Sequence, residues 1–437
     1  MREIVVRLTR LDRPSYVVGG VIRDLLLGRK PVDWDVATLA RPEEVCGEFE
    51  KVIPTGIAHG TVTVLNRGMS VEVTTFRGEG AYSDGRHPDR VVFLESLEED
   101  LKRRDFTINA IAYDIERKTL LDPFGGQRDL QRRVVRAVGN PMARFSEDGL
   151  RPLRAVRFAS ILGFSIEKKT FSAIRKCLPV FRKVAPERVR EELLKMLAGP
   201  RPERGIEMLR SSGLLGEILP ELLPGFGFAQ NRFHRHDVYR HALACLRHSR
   251  GDPVFRLAVL LHDIGKVMTA AGPPGMRTFY NHEKVSAQEA DDVLARLRFS
   301  NDERRRVRAL IENHMIHYEP AWSDGAIRRL VRRIGRENLE DAFRMQEADV
   351  LGRGRLVRQG LSNLRRLKAR IRRVLRQDAA LKVTDLAING SDVMRLLQIE
   401  PGPRVGRILT ALLEHVTDSP KDNSRQRLEE LVRLYDL

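Results

Sequence analysis

The chain is poor in the features that mark secreted, disulfide-built or membrane-spanning proteins. Its 437 residues hold three cysteines, Cys46, Cys177 and Cys245. They are odd in number and too widely spaced for a disulfide framework or a thiolate zinc site, so all three are expected to be reduced thiols. No stretch approaches the ~18 apolar residues that span a bilayer. Ile4-Val5-Val6 reads as a short strand without the long apolar core of a secretion signal. No membrane association and a cytoplasmic location are therefore expected. Nothing repeats with a period of roughly 20 to 50 residues, which excludes a solenoid.

Acidic residues are in deficit: Asp plus Glu number 59 against 77 Lys plus Arg, a formal net charge of +18. A polyanion bound through phosphate contacts is the natural partner, and nucleic acid is the leading candidate. Hydrophobic residues at 42% and charged residues at 31% describe a chain able to build ordinary cores. Its length suggests about three domains at roughly 150 residues each. Strand-like runs appear early, in Tyr16-Val17-Val18, Gly60 to Leu65 and Met69 to Phe76. From Arg144 onward, helical segments rich in Leu, Arg and Glu take over, punctuated by Gly199-Pro200, Pro220 and Pro224. Breaks are expected near 200–232 and 350–360.

Gly19-Gly20 follows the first of these strand-like runs and opens a helix, Val21-Ile22-Arg23-Asp24. Such a turn brings backbone N–H groups close to phosphate oxygens, and Arg23 adds charge one turn in. Asp33-Trp34-Asp35 comes shortly after, where a strand should start, and a period of two aims both carboxylates to one face. Paired hard oxygen ligands suit Mg²⁺ and a two-metal displacement at phosphorus. Further on, Arg104, Asp105 and Asn109 supply a cation, an acceptor and a two-sided amide. In Glu147-Asp148-x-x-Arg151-x-x-Arg154, helical spacing sets one acceptor and two guanidinium forks on one side, fit to pair with a base edge.

Gly19 to Gly28 followed by Asp33-Trp34-Asp35 resembles the class II tRNA nucleotidyltransferases and bacterial poly(A) polymerases of the polymerase β superfamily. The resemblance runs on through Thr75-Phe76-Arg77, Tyr82 to Pro88, Arg103 to Ala110, Asp122 to Gly126 and Glu147 to Arg154. It implies Asp33 and Asp35 as Mg²⁺ ligands, with Glu72, on the alternating run Val71 to Thr74, as third carboxylate. It also implies that Gly20, Arg23, Arg104, Asp105 and Asn109 bind ribose and triphosphate. Asp148 and Arg151 would template CTP or ATP, with Arg154 in support. The implied reaction adds CMP, CMP and AMP to the 3′ end of tRNA with release of pyrophosphate. An A-adding enzyme and a poly(A) polymerase share this chemistry and stay open, whereas Tyr82 to Pro88 resembles a loop that CC-adding enzymes lack.

In the helical half, His241, then Leu260-Leu261-His262-Asp263-Ile264-Gly265-Lys266, then Asp349 bring imidazoles and carboxylates from successive helices. Such a set can hold a divalent metal that activates water against a phosphoester. This pattern resembles the HD phosphohydrolase superfamily, implying metal ligands His241, His262, Asp263 and Asp349, with His282 and His314 as possible further ligands. The identity of that metal is left open, and Asp341 is a rival for Asp349. A rival of another class is a HD phosphohydrolase with a dead, RNA-binding head, against which the intact Asp33-x-Asp35 argues.

The run from Arg353 to Arg376 carries nine arginines at helical spacing and no interleaved aromatics, which favours recognition of folded RNA by shape and backbone. The expected fold is α+β. A polymerase β-like head with a mixed sheet and helices spans 1–140, and a helical neck and body spans 141–232. An HD domain at 233–352 and a basic helical tail at 353–437 complete it. Partners are the tRNA 3′ end, CTP and ATP, with no protein partner inferable.

Overall fold

Val17 and Val18 are β-branched and buried, and they form the C-terminal half of β1 (Ser15–Val18). The computed structural model describes residues 1–31, 33–79, 91–376 and 382–435. After β1 come β2 (Trp34–Thr38), β3 (Val52–Gly56), β4 (Thr61–Asn66), β5 (Met69–Thr75), β6 (Arg77–Glu79), β7 (Val91–Phe93), β8 (Ala112–Asp114) and β9 (Thr119–Leu121). Seven of these form one mixed sheet in the order β3-β4-β5-β2-β1-β8-β9, and β6 pairs with β7 separately. Within the sheet β2 and β5 pair in parallel, with Asp35 opposite Glu72 and Val36 opposite Val73. Because side chains alternate, Asp35 and Glu72 share the accessible face, while Val36 and Val73 point into the core.

The segment Tyr82 to Pro88, singled out by its resemblance, lies outside the described residues. One strand expectation is corrected. Ile4-Val5-Val6 belongs to a helix, Arg2–Arg10, whose buried face is Ile4, Val5 and Leu8. Leu8 continues the face one turn beyond Ile4, and that packing overrides the strand preference of a three-residue β-branched run. A second correction concerns the template motif. Helix Pro141–Glu147 ends at Asp148, and a new helix, Arg151–Leu162, starts three residues later. Pro152 has no N–H and fits only the first turn, so Asp148 cannot share a helix face with Arg151 and Arg154.

The described chain divides into two compact units, Met1–Pro220 and Glu221–Leu437. After residue 141 the first unit is helical except for β11 (Ser165–Ile166), which pairs in parallel with β10 (Val134–Val135). The second unit is built of helices. Several begin at side chains that accept a backbone N–H, as Asp237, Asp252 and Ser300 do, each contributing about 1 kcal/mol. The helix Val357–Leu375 buries Leu364, Leu367, Ile371 and Val374 along one stripe against Ile327, Val331 and Phe343. Its arginines therefore ride on a packed element: Arg370 and Arg373 pair with Asp324, whereas Arg358, Arg365, Arg366 and Arg372 are exposed. No helix among the described residues is long and apolar enough to cross a membrane.

Candidate active site and a second candidate metal centre

A cavity of about 750 Å³ opens on the first unit, and the three carboxylates expected to hold metal, Asp33, Asp35 and Glu72, all line it. Asp35 and Glu72 come from the parallel pairing of β2 with β5. Asp33 lies one residue before β2 and is exposed. Burial, then the neighbouring charge of Glu72, raises the Asp35 carboxyl to about pH 6, against the pull of Arg104. A carboxyl cluster that resists its own ionisation is one that a divalent cation relieves, so these residues fit a metal.

Gly19 sits beside them with φ at +76° and caps the helix Gly20–Leu26. A side chain there would be strained by that left-handed backbone, and its Cβ would lie 2.8 Å from the tip of Arg104, Nη1, and in contact with Asp35 Oδ2 at 3.5 Å. Gly20, the glycine expected to meet nucleotide, opens the helix and lines the same cavity. Arg23 donates both to Asp24, at 2.9 Å from Nε and Nη2, and to Asn109 Oδ1 at 2.7 Å. Asn109 Nδ2 in turn donates to Asp105 Oδ1 at 2.9 Å, and Arg154 donates to Asp105 Oδ2. A continuous hydrogen-bonded chain thus runs under the cavity from Arg23 to Arg154. Arg104, anchored on Asp100 at 3.4 Å, completes the cationic wall near the carboxylates.

On the opposite side, Asp148 accepts from both terminal nitrogens of Arg188, at 3.2 and 3.0 Å. Arg151 is buried and donates to Glu147 Oε2 at 2.6 Å and to the carbonyl of Arg103 at 3.2 Å. Asp148, Arg151 and Arg154 line the one cavity, and each is engaged with a different partner, Arg188, Glu147 and Asp105 respectively. Arg157, Phe158 and Lys195 also line it, and Phe158 carries the guanidinium of Arg157 3.9 Å from its ring centre. Sequence reasoning missed these and Arg188. Arg157 continues the three-residue spacing of Arg151 and Arg154 and was findable, whereas Arg188 reaches the site from a remote helix with no local signal.

The second unit holds a separate buried cluster. His241 lies on Val238–His248, His262 and Asp263 follow Pro253–Leu261, His282 opens His282–Arg296, His314 follows Asn301–Glu312, and Asp349 lies on Leu339–Arg353. All six are buried. His241 Nε2 is 3.2 Å from both Asp263 Oδ2 and Asp349 Oδ1, and Asp263 Oδ1 is 3.3 Å from His282 Nε2 and 3.6 Å from His314 Nε2. His262, His282 and His314 each direct Nδ1 at a backbone carbonyl three residues back, at 2.7, 2.6 and 2.7 Å. That contact leaves Nε2 facing the cluster, the arrangement by which an outer partner orients a metal-ligating imidazole. His262 Nε2 and Asp263 Oδ1 are buried without a hydrogen-bond partner, an orphaning that a cation would relieve.

Two groups here, His241-Cys245-His262-Asp349 and His262-Asp263-His314, bring their ligand atoms within 4.8 Å of one another. Asp341, the rival for Asp349, pairs instead with Arg306 and Arg344. Lys266, which donates to Asp263 Oδ2 at 2.6 Å, and Cys245 were given no role from the sequence, although Cys245 follows His241 by one helical turn.

A family model described as Poly A polymerase head domain matches residues 15–136. A model for the RNA and SrmB-binding site of polymerase A matches 163–225, and one for tRNA nucleotidyltransferase domain 2 matches 278–432. The chain is 35% identical to the CCA-adding enzyme of Geobacillus stearothermophilus over 97% of its own length and 94% of that enzyme's. It is equally 35% identical to the CCA-adding enzyme of Lactobacillus delbrueckii subsp. bulgaricus, over 99% of this chain and 96% of that one. Among solved structures, the Bacillus stearothermophilus CCA-adding enzyme in complex with CTP superposes with a TM-score of 0.74 at 31% identity. That match covers 99% of this chain and 96% of that one.

Proposed function

The chain belongs to the CCA-adding enzyme family of nucleotidyltransferases, and we propose that it adds CMP, CMP and AMP in turn to the 3′ end of tRNA from CTP and ATP. The observation that carries this reading is the single cavity on which the carboxylates Asp33, Asp35 and Glu72, the Gly19-Gly20 turn and the side chains of Asp148, Arg151 and Arg154 all open. One pocket thus combines a metal-fitting edge, a cationic wall suited to phosphate oxygens and groups with the donor and acceptor pattern of a base edge.

In this reading the terminal hydroxyl of the tRNA attacks the α-phosphate of the bound nucleotide and pyrophosphate leaves. Asp33, Asp35 and Glu72 would hold Mg²⁺, which when bound supplies Lewis-acid activation of the hydroxyl and charge neutralisation of the triphosphate. Arg23 and Arg104 neutralise triphosphate oxygens, and Asn109 and Asp105 fix the ribose side through their mutual hydrogen bond. Asp148 and Arg151 pair with the base edge, with Arg154 holding the floor beneath them. The reaction is expected of a protein working in the cytoplasm.

We assign residues 1–140 to the head, 141–232 to the neck and body, 233–352 to an HD domain and 353–437 to a basic tail that meets RNA backbone. The cluster His241, His262, Asp263, Asp349, His282 and His314 supports a second activity, a divalent-metal phosphohydrolase, because its buried and orphaned ligand atoms suit a cation. Purified His262→Ala, Asp263→Ala protein is expected to lose any metal-dependent phosphodiesterase activity, and retained activity would move the assignment elsewhere.

The deciding assay offers tRNA lacking its 3′ end with labelled CTP, ATP and Mg²⁺. Addition of C, C and A followed by a stop is expected. Incorporation of A only, and only onto tRNA already ending in CC, would replace the reading with an A-adding enzyme. Unlimited A addition would replace it with a poly(A) polymerase.

A further inference from the structure

A cavity of about 580 Å³ on the second unit carries Arg232, Arg235, Arg240 and Arg355 in its wall. Asp237 is the one carboxylate lining it, and its oxygens are taken by the Arg240 guanidinium at 3.6 Å and by the backbone N–H groups of Arg240 and Gly227. Among the described residues, no carboxylate pairs with Arg232, Arg235 or Arg355. Three guanidinium groups without a counter-charge thus border one opening, which gives it a positive potential suited to an anion of several charges.

This wall is built into the fold. The segment bearing Arg232 and Arg235 is pinned on one side by the N–H of Gly275, which donates to the Gln230 carbonyl at 3.1 Å, and by Arg277 Nη1, which donates to the Ala229 carbonyl at 2.7 Å. On the other side, Arg355 Nη1 donates to the Arg232 carbonyl at 2.8 Å, and the N–H of Arg235 donates to the Arg353 carbonyl at 3.0 Å.

The inner end of the cavity meets the histidine cluster. Gln230 and His234 line the cavity, and Lys266, itself buried, joins them to the cluster. Its Nζ donates to Gln230 Oε1 at 2.9 Å and to Asp263 Oδ2 at 2.6 Å, and lies 3.4 Å from His234 Nε2. His234 Nδ1 donates to Asn231 Oδ1 at 3.0 Å, which leaves Nε2 to accept from Lys266. The His234 ring also meets His241 edge to face, with ring centres 5.0 Å apart. Gln230 and His234 therefore form the partition between the arginine wall and the residues read as metal ligands.

We propose that this cavity is the substrate mouth of the second centre, and that it takes a phosphate ester bearing further phosphate charge, on a nucleotide or at the end of an RNA strand. The inference rests on the reading of the histidine cluster as a metal phosphohydrolase. The phosphoryl group to be cleaved lies at the partition, and Arg232, Arg235 and Arg355 hold the remaining phosphates. In the hydrolysis the oxygen of water bonds to phosphorus, the ester P–O bond breaks, and the leaving oxygen takes up a proton from solvent.

Binding is tested first, by phenylglyoxal labelling of the full chain read arginine by arginine by peptide mass spectrometry. Tripolyphosphate should protect Arg232, Arg235 and Arg355, and inorganic phosphate should protect them less. Equal labelling with and without tripolyphosphate would overturn the anion site. Turnover is then measured in the chain carrying Asp33→Asn and Asp35→Asn, supplied with Mn²⁺, Co²⁺ or Zn²⁺. Arg232→Glu with Arg235→Glu should raise KM for ATP, or for a short RNA ending in a 3′ phosphate, by about tenfold or more, as two charge-assisted contacts are lost. Hydrolysis of p-nitrophenyl phosphate, which offers the wall no second phosphate, should be unchanged. An effect on ATP alone would identify a free nucleotide as the ligand, and one on the RNA alone a strand end. Equal loss on p-nitrophenyl phosphate, or an unchanged KM for both larger substrates, would overturn the mouth. So would a loss of CMP and AMP addition when the same two substitutions are placed in the chain with an intact head, since the arginines would then serve the tRNA backbone. If no substrate is hydrolysed and His262→Ala changes nothing, the phosphohydrolase reading falls, and protection by tripolyphosphate alone decides whether the cavity holds phosphate.

Discussion

Arg154 and Asp105 stand far apart in the chain, yet Arg154 Nε and Nη2 both donate to Asp105 Oδ2, at 2.9 and 2.7 Å. Burial pushes the Asp105 carboxyl up, but Arg154 and the amide of Asn109 outweigh it and hold the carboxyl below its ordinary range. The pair is therefore a tie between the helix Arg151–Leu162 and the segment under the cavity. Arg154→Ala is expected to destabilise the first unit by about 3 kcal/mol, because a buried carboxylate loses its cation. Asp105→Asn in the same chain should restore part of that loss. Hydrogen exchange along Arg151–Leu162 under mild denaturant reads both effects. A lowered folded pKa means that the stabilisation is present above the unfolded value, about pH 3.9, and lost as pH falls below it. An Arg154→Ala protein as stable as the parent would mean that Arg154 is free to serve a base edge instead.

Asp33→Asn and Asp35→Asn change almost no volume and leave the sheet register intact, so their effect should be confined to chemistry. Losing several kcal/mol of charge stabilisation corresponds to a fall of about a thousandfold or more in nucleotide incorporation. Incorporation of labelled CTP measures it, with an unchanged thermal unfolding profile as the control for folding. Activity within tenfold of the parent in either variant would remove that residue from the metal site.

The Asp35 carboxyl, raised to about pH 6 by burial and then by Glu72, makes metal affinity depend on pH just below neutrality. Protons and Mg²⁺ compete for the same oxygens, so affinity should be near its plateau above pH 7. It should weaken about tenfold for each unit below pH 6. Glu72→Gln removes the like charge, lowers the Asp35 pKa and should move that fall to lower pH, even though one ligand is lost. Isothermal titration with Mg²⁺ from pH 5 to 8 gives both curves. A flat profile in the parent would show that Asp35 is not a ligand.

The parts of this protein that sequence could reveal are those encoded by short spacing. The period of two around Trp34 implied a strand aiming Asp33 and Asp35 at one face; the strand is there but starts after Asp33, and it is the parallel register of β2 with β5 that sets Asp35 beside Glu72. Spacing misled where a backbone event interrupted it. Pro152 starts a new helix between Asp148 and Arg154, and the packing of Leu8 turns an apparent strand into a helix. Partnerships made at long range, such as Arg188 on Asp148 or Gly352 under Cys245, depend on how remote helices pack, and no local pattern encodes them. The histidines fall between these cases. Each was visible as a residue type, but the fact that four imidazoles and two carboxylates share one buried volume emerged only from the fold.

Arg188 is the clearest case of a residue whose part follows from structure alone. Its two terminal nitrogens hold both oxygens of Asp148, fixing the plane of the carboxylate proposed to meet the incoming base. Asp148 is C-terminal to one helix and precedes another, so little else restrains its side chain beyond the N–H of Leu150, at 2.9 Å. Removing the fork should leave the Asp148 side chain free to rotate. Arg188→Ala is therefore expected to lower kcat/KM by about tenfold for CTP on acceptors lacking the 3′ end and for ATP on acceptors ending in CC. The loss should fall mainly on KM, as about 1.4 kcal/mol of positioning is forfeited. Arg188→Lys restores charge without the planar fork and should recover less than half of that free energy. Misincorporation of the wrong nucleotide should rise in both variants, because a rotating carboxylate no longer distinguishes two base edges by geometry. Unchanged kinetics and fidelity in Arg188→Ala would show that Asp148 keeps its orientation without Arg188.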